Sequence, residues 1–267
     1  MAEETYTREG IISKIERLKD AGFVKNSRPK NQGGVGNTIE DYLGVRENNL
    51  SIADMGEFEL KAKRKGDKSL TTLFHLDPFP RERPGIHILY DVLLPVFGWP
   101  NRNNTAETSL RLTVGAKGFM GRGFTIVVDD DRQCVRLLFD HSKAAPAFAG
   151  WRDRIVEAGK DKLEPYPHWP YTTLKEHVDK ITNVFMVLAE SKGSYKDGTE
   201  EFHYVDGYVL EGLRFDVFLE AIRQGTIVVD FDCRTGVGRK PHNHGTKFRF
   251  LKLNDLIDLY PRHEKFM

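Results

Sequence analysis

The chain has 267 residues, with 40 Lys and Arg against 39 Asp and Glu, a 39% hydrophobic content and two cysteines. That length predicts one large domain or two packed lobes. No apolar run nears the roughly 20 residues of a membrane helix, MAEETYTREG is too polar for a signal peptide, and Cys134 and Cys233 lack the spacing of a disulfide framework or a zinc knuckle.

The elements follow in chain order. A helix is predicted over 7–21, with Thr7 as N-cap, an apolar stripe of Ile11, Ile12, Ile15 and Leu18, and Gly22 as its stop. Gln32–Gly36 (QGGVG) reads as a flexible turn, and a short helix begins near Thr38 with Asp41 completing an imperfect capping box. Strands are predicted at 57–63, 69–76, 109–114, 123–129 and 133–139, the last two forming a hairpin around Asp130–Arg132. The run LEPYPHWPY (163–171) holds three prolines and reads as a hinge. It divides the chain into lobes 1–170 and 171–267. A long amphipathic helix is expected over 172–190 from Leu174, Val178, Ile181, Val184, Phe185 and Leu188. A strand at 202–210, a helix at 213–224, a strand at 226–232, a basic loop and a strand at 246–252 complete a mixed α/β fold.

A formal net charge of +1 does not advertise a polyanion partner, but the positive charge is concentrated. KAKRKGDK (61–68) sets five basic residues against Asp67. Residues 233–253 contain Arg234, Arg239, Lys240, Lys247, Arg249 and Lys252 and no acid. Either run read alone is a solvated face; two of them, each beside candidate chemistry, point to a polyanion.

The chemistry centres on ADMGEFELK (53–61). Alternation turns Phe58, Leu60 and Ala62 to a core and Glu57, Glu59, Lys61 and Lys63 the other way. Glu59 and Lys61 then share a face, about 6–7 Å apart along the strand. Gly56 allows a turn that brings Asp54 toward Glu59. Asp54, Glu59 and the Leu60 carbonyl form a hard-oxygen set for Mg²⁺, for which Mn²⁺ would substitute. The Lys61 ammonium could orient a metal-activated water for attack on a phosphodiester. Glu40 could add a carboxylate, and SLTTLFH (69–75) reads as the neighbouring strand, with His75 behind the site.

GNTIEDYLG (36–44), ADMGEFELKAKR (53–64), the TTLFH strand, GTIVVDFDCR (225–234) and HNHGTKFRF (242–250) together resemble the MvaI/BcnI family of restriction endonucleases, in the MutH-like branch of the PD-(D/E)xK nucleases. The resemblance is weakest over 81–170. It implies a restriction-endonuclease-like mixed β-sheet core with flanking helices, with a catalytic lobe and a smaller recognition lobe. By this similarity Asp54, Glu59 and Lys61 bind metal and catalyse, with Glu40 as accessory. Asp232, Arg234, His242, His244 and Arg249 recognise bases, joined by Lys247 on the same strand as Arg249. It further implies a monomeric type II enzyme with no obligatory protein partner, which cuts double-stranded DNA at a CC-N-GG type of pseudo-palindrome.

The second block also makes sense chemically. Lys247 and Arg249 alternate with Phe248 and Phe250, arginine is a bidentate reader of guanine, and a carboxylate accepts from cytosine N4. Two other readings share these residues: a MutH-like repair nickase that depends on a partner, and a DNA-binding protein that does not cleave. Asp129–Asp131 reads as a turn, and His168 with Trp169 as packing. Cys233 with His242 and His244 lacks a fourth zinc ligand. No phosphate-binding loop or nucleophile elbow is present.

Overall fold

The computed structural model describes residues 7–45, 55–81, 85–236 and 239–267. In chain order the elements are α1 (Arg8–Asp20), β1 (Val24–Lys25), α2 (Gly34–Leu43), β2 (Glu59–Arg64), β3 (Thr71–His75), a π-helical turn (Leu89–Leu93) running into α3 (Leu94–Phe97), β4 (Trp99–Pro100), β5 (Thr108–Val114), β6 (Arg122–Asp129) and β7 (Cys134–Ala144). After a 3-10 turn (Pro146–Phe148) come α4 (Ala149–Glu157), β8 (His168–Pro170), α5 (Tyr171–Lys180), β9 (Asn183–Lys192), β10 (Glu201–Glu211), α6 (Phe215–Arg223), β11 (Ile227–Gly236), β12 (Arg239–Asn243), β13 (Lys247–Phe250), α7 (Leu253–Ile257) and β14 (Arg262–Lys265). No described helix is long and apolar enough to cross a membrane.

The chain divides into two compact units, one of residues 1–69, 176–215 and 256–267 and the other of residues 70–175 and 216–255. It therefore passes between them after residues 69, 175, 215 and 255, where a single boundary near 170 was expected. Strand pairing explains the returns: β2 and β9 pair in parallel, and parallel neighbours need a long connection, which here includes most of the other unit.

The first unit holds a sheet in the order β1-β10-β9-β2, with β14 added on β10. Ile11, Ile15 and Leu18 of α1 and Ile39 and Leu43 of α2 bury against Leu60, Phe185, Val187 and Tyr204. Thr7 caps α1 as expected, accepting from the Gly10 N–H at 3.1 Å. α2 begins at Gly34, four residues before the expected start. A side chain at Gly34 would meet Asn26 at 2.2 Å, so glycine is what lets the helix approach. The expected capping box does not form because Gly33 is the N-cap and Thr38 and Asp41 lie inside the helix, where Thr38 Oγ1 accepts from the Ser27 N–H at 3.0 Å and Asp41 from the Ser27 hydroxyl at 2.6 Å.

The helix expected over 172–190 stops at Lys180, and β9 follows. β9 lies between β10 and β2, and Val184, Phe185, Met186, Val187 and Ala189 are all buried. A strand covered on both faces reads as a continuous apolar run, which a helical stripe can imitate.

In the second unit one sheet runs β3-β13-β11-β5-β4, with β12 on β11, and another runs β6-β7-β8. Phe248 packs between Phe74 at 5.0 Å and Trp169 at 5.4 Å. The proline run is part of this core and not a hinge: β8 pairs with β7, and buried Trp169 donates to the Leu76 carbonyl at 2.8 Å. β3 pairs with β13 and not with β2, correcting the expected neighbour. Part of the expected basic loop is a hairpin of β11 and β12.

Candidate functional site

Just before β2, a tight turn closes between Met55 and Phe58, whose backbones exchange hydrogen bonds at 2.9 and 3.2 Å, with Gly56 at φ +67°. The turn anticipated from Gly56 is formed; Asp54 lies outside the described residues. Phe58 and Leu60 enter the core, which turns Glu59 and Lys61 to the opposite face. There Lys61 Nζ donates to Glu59 Oε1 at 2.5 Å, while Lys180 Nζ, from the end of α5, stands 3.5 Å from Oε2.

Glu59 shares the face of Lys61, as alternation predicts, and its side chain is only 5% exposed. A lone carboxylate so buried would cost several kcal/mol; two ammonium groups offset that cost. Tyr260 is buried nearby and donates to the Ile181 carbonyl at 2.8 Å. Burial, with a smaller push from Glu59, raises its phenol.

β2 ends its sheet. Lys65 gives its N–H to Ala189 of β9 at 2.7 Å, so strand alternation turns the Leu60 carbonyl to the edge that pairs with no described strand. A buried carboxylate and an outward carbonyl are hard oxygen donors, which fit a divalent cation of the Mg²⁺ kind. Among the described residues no group of three or more His, Cys, Asp or Glu gathers to hold a metal.

Glu40 is half-buried on α2 and lies near Tyr204, whose phenol is raised by burial first and by Glu40 to a lesser extent. Of the basic run, Arg64 makes a bidentate pair with buried Glu200 at 2.7 and 2.8 Å. Lys65 meets Asp206 at 2.9 Å, and Lys63 donates to the Ser69 carbonyl. His75 belongs to the other unit, in register with Lys247 across β3 and β13, with Gly245 packed against its ring.

The second unit assembles most of the expected recognition residues on one sheet face. Ile227, Val229, Phe231 and Cys233 of β11 point inward, so Asp230, Asp232 and Arg234 share the other side. Register adds Lys247 and Arg249 from β13 and Ser109, Arg111 and Thr113 from β5.

The charges on this face interlock. Arg249 meets Asp230 at 2.8 Å and also donates to the Leu70 carbonyl. Asp232 stands 3.1 Å from Arg111 and 3.8 Å from Lys247, and Arg234 meets Glu107 at 3.2 Å. The arginines thus pair with acids outside the acid-free run. His242 is in register with Arg234, while exposed His244 gives its backbone N–H to the Asp232 carbonyl at 3.0 Å. Asp77 fastens the intervening turn, accepting from the Thr246 N–H at 2.8 Å and from Asn243 Nδ2 at 2.9 Å. Cys233 faces the core, and burial pushes its thiol up to about 12.

The model of the MvaI/BcnI restriction endonuclease family matches residues 12–260. The chain belongs to the MvaI/BcnI restriction endonuclease family. It is accordingly a type II, site-specific DNA endonuclease, and the family named from its motif blocks is the one found. Among solved structures the chain is similar to "Restriction endonuclease MvaI-cognate DNA substrate complex", at 22% identity and a TM-score of 0.76 over 100% of both chains. It is also similar to "Restriction endonuclease MvaI in the absence of DNA", at 22% identity and a TM-score of 0.53 over 100% of both. These likenesses show the MvaI/BcnI fold, as expected from the sequence. No curated protein matches the chain.

Sequence reasoning missed Lys180, Tyr260, Arg111 and Glu107. Lys180 is 121 positions from Glu59 and was hidden inside an apparent long helix. Ending that helix at Thr182–Asn183 would have marked Lys180 as a cation at a helix C-terminus. Arg111 and Glu107 were legible only through the pairing of β5 with β11.

Proposed function

We propose that this enzyme cleaves double-stranded DNA at a short G·C-rich pseudo-palindrome of CC-N-GG type, acting as a monomer, with the β2 edge cutting and the β11–β13 face reading. The observation that carries the cutting role is Lys61 Nζ at 2.5 Å from the buried Glu59 carboxylate, at the start of a sheet-edge strand. Glu59, the Leu60 carbonyl and Asp54 would hold Mg²⁺, or Mn²⁺ in its place, with Glu40 as an accessory carboxylate. Such a cation, when bound, would offset the negative charge that builds on the phosphate.

The chain's own groups do the rest. Lys61 Nζ leaves Glu59 and orients the attacking water. The water oxygen bonds to phosphorus and releases a proton to solvent as the bond to O3′ breaks, and O3′ takes up a proton from solvent, leaving 5′-phosphate and 3′-hydroxyl ends. Lys180, 3.5 Å from Glu59 Oε2, remains as a cationic neighbour of the carboxylate when Lys61 turns to substrate.

On the reading face, Arg234 and Arg249 suit the O6 and N7 of guanine, and Asp232 suits cytosine N4. Each is already held by an opposite charge, so a base edge replaces a protein partner. His244, Lys247 and His75 complete the face, and His242 is assigned a base contact by the family resemblance alone.

The test is digestion of a plasmid of known sequence with Mg²⁺, followed by mapping of the fragment ends. The expected result is a discrete set of ends, each within a G·C-rich pseudo-palindrome and bearing 5′-phosphate. Random fragments, or intact plasmid across salts and metals, would overturn the reading.

A further inference from the structure

One end of the reading face runs into a polar depression of ≈ 340 Å³ lined by Trp99, Asn101, Arg102, Asn103, Ser109 and Arg111. Ser109 is registered opposite both Arg234 and Trp99, and Arg111 opposite Asp232. The depression therefore continues the same face across β5 to β4.

Its rim is built before any ligand arrives. Asn101 is buried and gives its backbone N–H to the Glu107 carbonyl at 2.9 Å and its side-chain amide to Glu107 Oε2 at 3.2 Å. Asn101 Oδ1 accepts from the Asn103 N–H at 3.0 Å. These bonds hold the loop that carries Arg102, which is exposed and makes no polar contact with another described residue. Arg111 is 53% exposed and meets Asp232 through Nε, leaving the outer edge of its guanidinium for another partner. Arg122 stacks over Trp99 at 4.0 Å. The surroundings thus hold four guanidinium groups, Arg102, Arg111, Arg122 and Arg234, against the carboxylates Glu107 and Asp232, an excess of two positive charges.

We propose that this depression binds a backbone phosphate of the DNA, with Arg102 and Arg111 as the contacting cations. The inference rests on the reading role assigned to the β11–β13 face. Strands lie about 4.8 Å apart, so β4 is about 14 Å from β13. The major groove is about 12 Å wide. With the face of β13 and β11 against base edges, the β4 end reaches the groove wall, where the DNA offers phosphates. An arginine fork is suited to a phosphate, and the prefolded loop lowers the entropy cost of presenting it.

The experiment is equilibrium binding in EDTA as a function of salt, for the wild-type protein, Arg102→Ala, Arg111→Ala, Arg111→Lys and Arg249→Ala. The probes are a 30-base-pair duplex carrying a mapped cleavage site and a scrambled duplex of the same composition. Each of Arg102→Ala and Arg111→Ala should lower the slope of log K against log salt by about 0.9 on both duplexes, equivalent to about eightfold weaker binding at 0.1 M salt. Arg111→Lys keeps the charge and should keep the slope.

Unchanged slopes in both alanine variants would overturn the proposal. A loss confined to the mapped-site duplex would also overturn it, because it would mean that a base is contacted. Arg249→Ala separates the two readings: it should reduce discrimination between the duplexes while the Arg102 and Arg111 effects persist. Undiminished discrimination would defeat the reading role of the face, and with it this proposal.

Discussion

The two charged regions of this protein hold their charge at different depths. At the β2 edge the Glu59 side chain is 5% exposed and held between Lys61 and Lys180. On the β11–β13 face, Arg234 and Arg111 are 38% and 53% exposed against Glu107 and Asp232 at 13% and 29%, while the Arg249–Asp230 pair, at 22% and 15%, is partly buried. A buried pair is held because neither member can be stripped of its partner without a large penalty; an exposed pair is worth little and can be exchanged for a ligand. The first arrangement suits a fixed geometry for chemistry, and the second suits a surface that swaps protein partners for base edges.

That contrast can be broken by substitution. The largest effect should come from Glu59→Gln, which leaves two ammonium groups around a neutral amide. Single-turnover cleavage should fall by about 10³-fold with DNA affinity unchanged or slightly raised, measured by rapid quench and by fluorescence anisotropy. Arg64→Met is next. It leaves Glu200, itself 5% exposed, without its bidentate partner, and should destabilise the protein by about 3 kcal/mol in urea titration. If it costs nothing, burial does not govern the first unit's charges.

Arg249→Ala should act on the other region alone. Discrimination against a substituted G·C pair should weaken by about 1–3 kcal/mol in competition binding. The smallest effect concerns Asp206. The hydrogen bond from Lys265, reinforced by Lys65, holds its carboxyl below the usual range. The folded pKa is depressed, so its contribution is complete above the unfolded value of about 3.9 and disappears as pH falls through the lower folded value. Thermal melts at pH 7 and pH 3 should show a smaller acid loss in Lys265→Ala than in the wild type.

Local features were legible in the sequence where local chemistry fixes them. The Thr7 cap, the Gly56 turn and the 122–144 hairpin are each determined by a few adjacent residues. So is the shared face of Glu59 and Lys61, which follows from strand alternation. What could not be read was tertiary. Val184 to Ala189 satisfied a helical stripe because a strand covered on both sides is apolar throughout. His75 was placed beside β2 because its strand follows β2 in sequence, whereas its hydrogen-bonding partner, β13, lies more than 170 residues further along. The acids that answer Arg234 and Arg249 were invisible for the same reason: Glu107 lies on a distant segment, and Asp230 meets Arg249 only through the pairing of β11 with β13.

The most direct test of a cutting edge separate from a reading face is Lys61→Ala, assayed for cleavage and for DNA affinity in the same preparation. The account predicts cleavage lowered by about 10³-fold or more with Kd unchanged within about twofold. Cleavage at the wild-type rate, or loss of binding in step with loss of cleavage, would contradict it.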